Sequence, residues 1–84
     1  MTATTVDMAE VLERIVAPLL SQPDALKITT RNRDTTLILS VRVAPEDGGR
    51  LIGRGGETIR AIRTLTDYAA RRAGATVQLE VQDA

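Results

Sequence analysis

Three glycines and an arginine interrupt an otherwise helical stretch at Leu51-Ile52-Gly53-Arg54-Gly55-Gly56-Glu57-Thr58-Ile59. Glycine admits positive φ and lets a second backbone approach to contact distance. The helix that restarts at Glu57 offers unpaired N–H groups and the positive end of its dipole at the same point, an arrangement that favours an anion. Arg54 projects from the turn, Arg50 lies one turn before it, and Arg60 and Arg63 follow along the next helix. A sugar–phosphate strand can lie against such a turn. Other readings share the pattern. Glycines chosen only to let two helices meet tightly need no ligand. Gly48 to Gly53 has the spacing of a P-loop, but Arg54 and Gly55 stand where Lys and Ser or Thr are required. A dinucleotide fold needs more than the 84 residues present.

Little other chemistry is on offer. Cysteine and histidine are absent, which removes disulfides, the usual zinc ligands, a thiol nucleophile and an imidazole base. Ser21 and Ser40 have no activating partner at a readable spacing. Glu46, Asp47 and Glu57 read as helix-start carboxylates, and Arg71 and Arg72 as cations suited to a helix C-terminus. No enzyme activity, cofactor or metal is expected. The one aromatic residue, Tyr68, is expected to pack on a helix flank, so recognition by stacking platforms is ruled out. Net charge is zero, with 11 basic and 11 acidic residues, but the charges are segregated. Residues 1–24 carry a net −3 and residues 50–72 a net +4. No segment has the roughly 20 apolar residues of a membrane span, and no secretion signal is readable. A cytoplasmic protein is expected.

The elements that must position the glycine turn follow from periodicity. Residues 1–6 read as a flexible tail and residues 7–82 as a single domain. Asp7 is a candidate N-cap with Glu10 completing a box. Met8, Val11, Leu12, Ile15, Val16 and Leu19 form one stripe of an amphipathic helix, loosened at Pro18 and ended by Pro23-Asp24. Leu26, Ile28 and Thr30 alternate with polar residues, as do Leu37, Leu39, Val41 and Val43. With Arg31-Asn32-Arg33-Asp34 as the turn, these predict an antiparallel hairpin with one buried face. A short helix opens at Ala44-Pro45-Glu46-Asp47 and runs to Ile52. The next runs from Glu57 to Gly74, with Ile59, Ile62, Leu65, Thr66, Ala69 and Ala73 inward. Val77, Leu79 and Val81 mark a last strand. The order is α-β-β-α-α-β, an α+β domain. A strand returning after two helices lies parallel to the one before them, giving a three-stranded mixed sheet with three helices on one face.

At this point the residues resemble a known family. Ile52-Gly53-Arg54-Gly55-Gly56-Glu57-Thr58-Ile59 looks like the signature of the KH module, whose GXXG loop clamps a single strand. The element order resembles the type II, prokaryotic, KH fold. Val41-Arg42-Val43-Ala44-Pro45-Glu46-Asp47, followed by Arg50-Leu51-Ile52-Gly53 and Ala61-Ile62-Arg63-Thr64-Leu65, is similar to the KhpA family of small bacterial single-KH proteins. The resemblance covers residues 7–82. It implies single-stranded RNA binding, with a role as an RNA chaperone or post-transcriptional regulator. Gly53, Arg54, Gly55 and Gly56 would hold the RNA backbone. Ile52, Ile59 and Ile62 would floor the groove under the bases, with Val41 and Val43 closing it. The Arg31–Asp34 turn would take the place of the family's variable loop. Phosphate contacts from Arg50, Arg54, Arg60 and Arg63 predict a log–log salt slope of roughly −2 to −3 for a single strand. The family also implies self-pairing or pairing with a KhpB (Jag) protein, and a part in cell shape and division. The alternative is an interaction module whose GXXG face binds protein, as a homodimer or with a KhpB/Jag-like chain. One departure stands out: position 48 is Gly where similar sequences tend to carry an apolar residue. Gly48-Gly49 should weaken the short helix by roughly 1 kcal/mol per residue relative to alanine.

Overall fold

Asp7 opens the first helix. In the computed structural model, which describes residues 7–82, its carboxylate accepts from the backbone N–H groups of Ala9 (3.0 Å) and Glu10 (3.3 Å). Residues 1–6, expected as a flexible tail, lie outside the described residues. Helix α1 (Met8–Val16) follows. The capping box does not close as expected, because the Glu10 carboxylate turns forward to Arg14 at 3.1 Å, the neighbouring position one turn on. Met8, Leu12 and Val16 carry the buried stripe. Pro18 then tightens the chain into a 3-10 turn over Ala17–Leu19.

The hairpin reaches further than the polar tetrad suggests. β1 (Lys27–Arg33) pairs antiparallel with β2 (Thr36–Arg42), from Lys27 opposite Arg42 to Arg33 opposite Thr36. Arg31, Asn32 and Arg33 are therefore strand, and the reversal falls on Asp34 and Thr35. Asp34 takes φ 55, which a short polar side chain tolerates better than most. The turn expected over Arg31–Asp34 is thus only two residues long. β3 (Thr76–Gln82) pairs parallel with β2, giving the order β1-β2-β3 with β3 at a free edge.

One sheet face carries Ile28, Leu37, Leu39, Val41, Val77, Leu79 and Val81 against the helices. The other face is helix-free, yet Ile38 on it is fully buried and Ser40 nearly so. The expectation of a single buried face is corrected here. β2 is the central strand, and Ile38 lies in register between Arg31 and Gln78, whose long side chains flank it. An Arg31–Glu80 ion pair at 3.7 Å crosses above β2, and the Ser40 hydroxyl donates to Glu80 at 3.2 Å.

After β2 a 3-10 turn, Pro45–Asp47, leads into the short helix α2 (Gly48–Ile52). Asp47 is more than a helix-start carboxylate. It is fully buried and accepts from the Ser21 N–H (2.9 Å), the Ser21 hydroxyl (2.7 Å) and the Gln22 N–H (2.9 Å). This pins the start of α2 to the segment that leaves α1. Burial alone would raise the Asp47 carboxyl. The Ser21 and Gln22 hydrogen bonds, with the Arg50 guanidinium 3.6 Å away, outweigh it and hold the group below its ordinary 3.8.

Helix α3 (Glu57–Arg72) packs through Ile59, Ile62, Thr66 and Ala70. Leu65 and Ala73, expected inward, are exposed, Leu65 by 54%. At 3.6 residues per turn Leu65 falls about 90° from the centre of the buried face, so the apolar spacing misjudges the helix's phase. Tyr68 also stands out at 60% exposed rather than packed on the flank.

Candidate nucleic-acid interface

The turn between α2 and α3 is built by glycines that no other residue type fits equally. Gly53 sits at φ 78, ψ 172. A Cβ there would overlap the Thr58 hydroxyl and lie 2.9 Å from the Thr58 backbone nitrogen, so both conformation and space demand glycine. Gly56, at φ 76, is the left-handed residue from which α3 starts. Backbone hydrogen bonds close the loop: Gly53 N–H donates to the Gly49 carbonyl at 2.8 Å, and Gly56 N–H to the Gly53 carbonyl at 3.1 Å. The Glu57 N–H donates to the Arg54 carbonyl and no side chain caps the start of α3, which presents the positive end of its dipole at the loop.

The four arginines of this region are not equivalent. Arg60 folds back, donating from its Nη2 to the Gly55 carbonyl and, at 3.5 Å, from its Nε to the Gly56 carbonyl. It braces the loop from within. Arg50 lies 3.6 Å from the Asp47 carboxylate. Arg54 and Arg63 are exposed and have no acidic partner within ion-pair distance among the described residues.

The apolar residues divide in the same way. Ile59 and Ile62 are buried in the core beneath the loop, and Val41 is fully covered. Only Ile52 is open, at 38%. It lines a shallow groove of about 240 Å³ with Val43, Ala44, Pro45, Gly48, Val81 and Gln82. A second depression, alongside Arg63 and Asp67, runs past Val77, Gln78 and Leu79. One wall of the groove is therefore β3, the free edge strand, which the hairpin pattern alone does not reveal. Its place is implied by the parallel return after α3, since β1 already occupies the other side of β2. Gly48 has helical φ −55, ψ −45, and a Cβ at this position would meet only open space. Its missing side chain widens the groove.

Comparison with known proteins agrees with this geometry. Residues 9–81 match the family model described as KhpA/KhpB, KH domain. A protein from Borreliella burgdorferi named RNA-binding protein KhpA is 39% identical over 74 residues, covering 88% of this chain and 90% of the relative. One of the same name from Streptomyces coelicolor is 41% identical over 58 residues, covering 69% and 73%. Among solved structures, Era in complex with MgGDPNP and a segment of 16S ribosomal RNA superposes with a TM-score of 0.63 at 17% identity. Era from Aquifex aeolicus, bound to GDP and aluminium fluoride, gives 0.64 at 17%. This chain spans 28% and 29% of those two chains, so the likeness is one of fold. The family match over residues 9–81 and the identities of 39% and 41% go further: the chain belongs to the KhpA/KhpB KH-domain family.

Proposed function

We propose that this chain binds single-stranded RNA in the cytoplasm, as an RNA chaperone or post-transcriptional regulator, holding the RNA backbone at Gly53-Arg54-Gly55-Gly56. One observation carries the reading. The left-handed glycines set the start of α3, free of any side-chain cap, and the unpaired Arg54 two residues after Ile52, which lines the groove against β3. Backbone N–H groups and a guanidinium are suited to phosphate oxygens. Arg63 supplies a second contact along α3, while Arg60 keeps the loop in shape. Ile52 offers apolar contact to a base, and with no stacking aromatic the affinity of one domain is micromolar or weaker. The name carried by the relatives, RNA-binding protein KhpA, supports the same reading. The test is fluorescence anisotropy of short labelled single-stranded RNAs with wild type and Arg54→Asp/Gly55→Asp. Gly55 is the position to choose, because a side chain there meets open space and its φ of 63 is one that Asp tolerates. Wild type binds and the variant does not, while circular dichroism stays unchanged. Equal binding by both would refute the clamp.

A second reading, pairing with another KH chain such as a KhpB/Jag-like protein or a second copy, draws on a different surface. Leu65 and Tyr68 stand exposed on one flank of α3, whereas the GXXG face offers only Ile52. A protein partner is better accommodated on the α3 flank than on the loop.

A further inference from the structure

The helix-free face of the sheet is basic. Because cross-strand partners share a face and successive residues alternate, this face carries Lys27, Arg31 and Arg33 from β1, Arg42 from β2 and Glu80 from β3. That is a net +3 in a chain whose total is zero. Glu80 is committed to Arg31. Lys27, Arg33 and Arg42 have no acidic partner within ion-pair distance among the described residues. Lys27 and Arg42 are moreover directly opposed across the β1–β2 ladder. Like charges in that position repel, and the described residues of the sheet contain nothing that relieves them.

The opposed pair is not isolated from the groove. Arg42 is also in register with Gln82 on β3, so Lys27, Arg42 and Gln82 form one row across the end of the sheet, about 10 Å wide. Gln82 itself lines the groove beside Ile52, and Val43, next in the chain after Arg42, lines it too. A strand passing along the groove therefore meets this row as it leaves.

We infer that the Lys27–Arg42–Gln82 row is a second RNA-contacting site, which takes the phosphates of the same single strand after it leaves the GXXG groove. The inference rests on the RNA-binding reading above and extends it from one clamp to a path over two faces. The RNA phosphates supply the negative charge that the opposed Lys27 and Arg42 lack. Arg33, further along the same face, continues the positive field towards the hairpin tip.

Two oligonucleotides separate the two sites. One of about four nucleotides occupies only the loop and groove, and one of about twelve reaches beyond them. Lys27→Ser/Arg42→Ser removes both charges from exposed strand positions, and Lys27→Gln/Arg42→Gln provides a second variant with longer side chains should the first melt early. Expected is about a tenfold loss for the long RNA, unchanged binding of the short one, and a salt slope shallower by about 1.4 for the long RNA, the value for two single-strand phosphate contacts. Unchanged binding of both RNAs overturns the second site. So does an equal loss for both, which marks a diffuse field rather than a contact. The loop variant Arg54→Asp/Gly55→Asp reports separately on the clamp. If it leaves both RNAs bound while the sheet variant releases the long one, the clamp fails and the sheet site stands.

Discussion

Asp47 shows how much one side chain holds in place. Its two oxygens receive three hydrogen bonds from Ser21 and Gln22 with no solvent access, and through them the start of α2 is tied to the segment that follows α1. Asp47→Asn keeps the shape but turns an NH₂ towards N–H donors, leaving buried donors unpaired. Its thermal midpoint at pH 7 should fall by roughly 10 °C, a large step for a domain this small. The pH dependence follows from the sign of the shift. A carboxyl held below its unfolded value of 3.8 contributes stability above that pH and loses it as pH falls through the native value. Wild type should therefore lose stability below about pH 4, and Asp47→Asn should lose less over the same range. Calorimetric or circular-dichroism melts at stepped pH measure both. A midpoint for Asp47→Asn equal to that of wild type at pH 7 would show that the tie carries no stability.

At the scale of elements, α2 is the weakest piece: five residues, two of them glycine. Gly48 has helical dihedrals and open space where a Cβ would go, so nothing in the backbone requires glycine. Gly48→Ala should raise the thermal midpoint by about 2–8 °C, the equivalent of 0.5–1 kcal/mol in a domain of this size. A midpoint that falls would mean that α2 needs its looseness to seat the loop. The sequence makes α1 legible because its stripe has clean helical spacing and a capping Asp. It makes the GXXG turn legible because glycines in that density have few other uses. The hairpin turn is misplaced by local pattern because β1 is an edge strand whose far residues, Thr30 to Arg33, are exposed. Polar turn-formers can occupy such a strand at little cost. The groove wall escapes a reading by pattern because β3 reaches it through register, a tertiary property no local pattern encodes. Asp47 escapes it because a helix-start role explains the residue as long as its burial is unknown.

At the scale of the whole molecule, zero net charge conceals a division of surfaces. Acidic residues line α1, cations cluster at the loop and on the open sheet face, and one flank of α3 is apolar. On that flank Ala61, Leu65 and Tyr68 follow one another at helical spacing, with Leu65 and Tyr68 more than half exposed. An aliphatic side chain beside a tyrosine is typical of residues that anchor interfaces. In a two-fold dimer one such flank meets its own copy, so each contact is made twice. Self-pairing of this kind would double the number of RNA clamps and raise affinity through avidity without altering either site. Sedimentation equilibrium should show concentration-dependent dimers for wild type and monomers for Leu65→Ser/Tyr68→Ser. Both substitutions lie outside the core, so the melting midpoint should move by less than about 4 °C. In the paired form, binding of a long RNA should weaken with the variant while binding of a short one does not. Monomeric wild type at every concentration would remove the second copy as the partner of this flank.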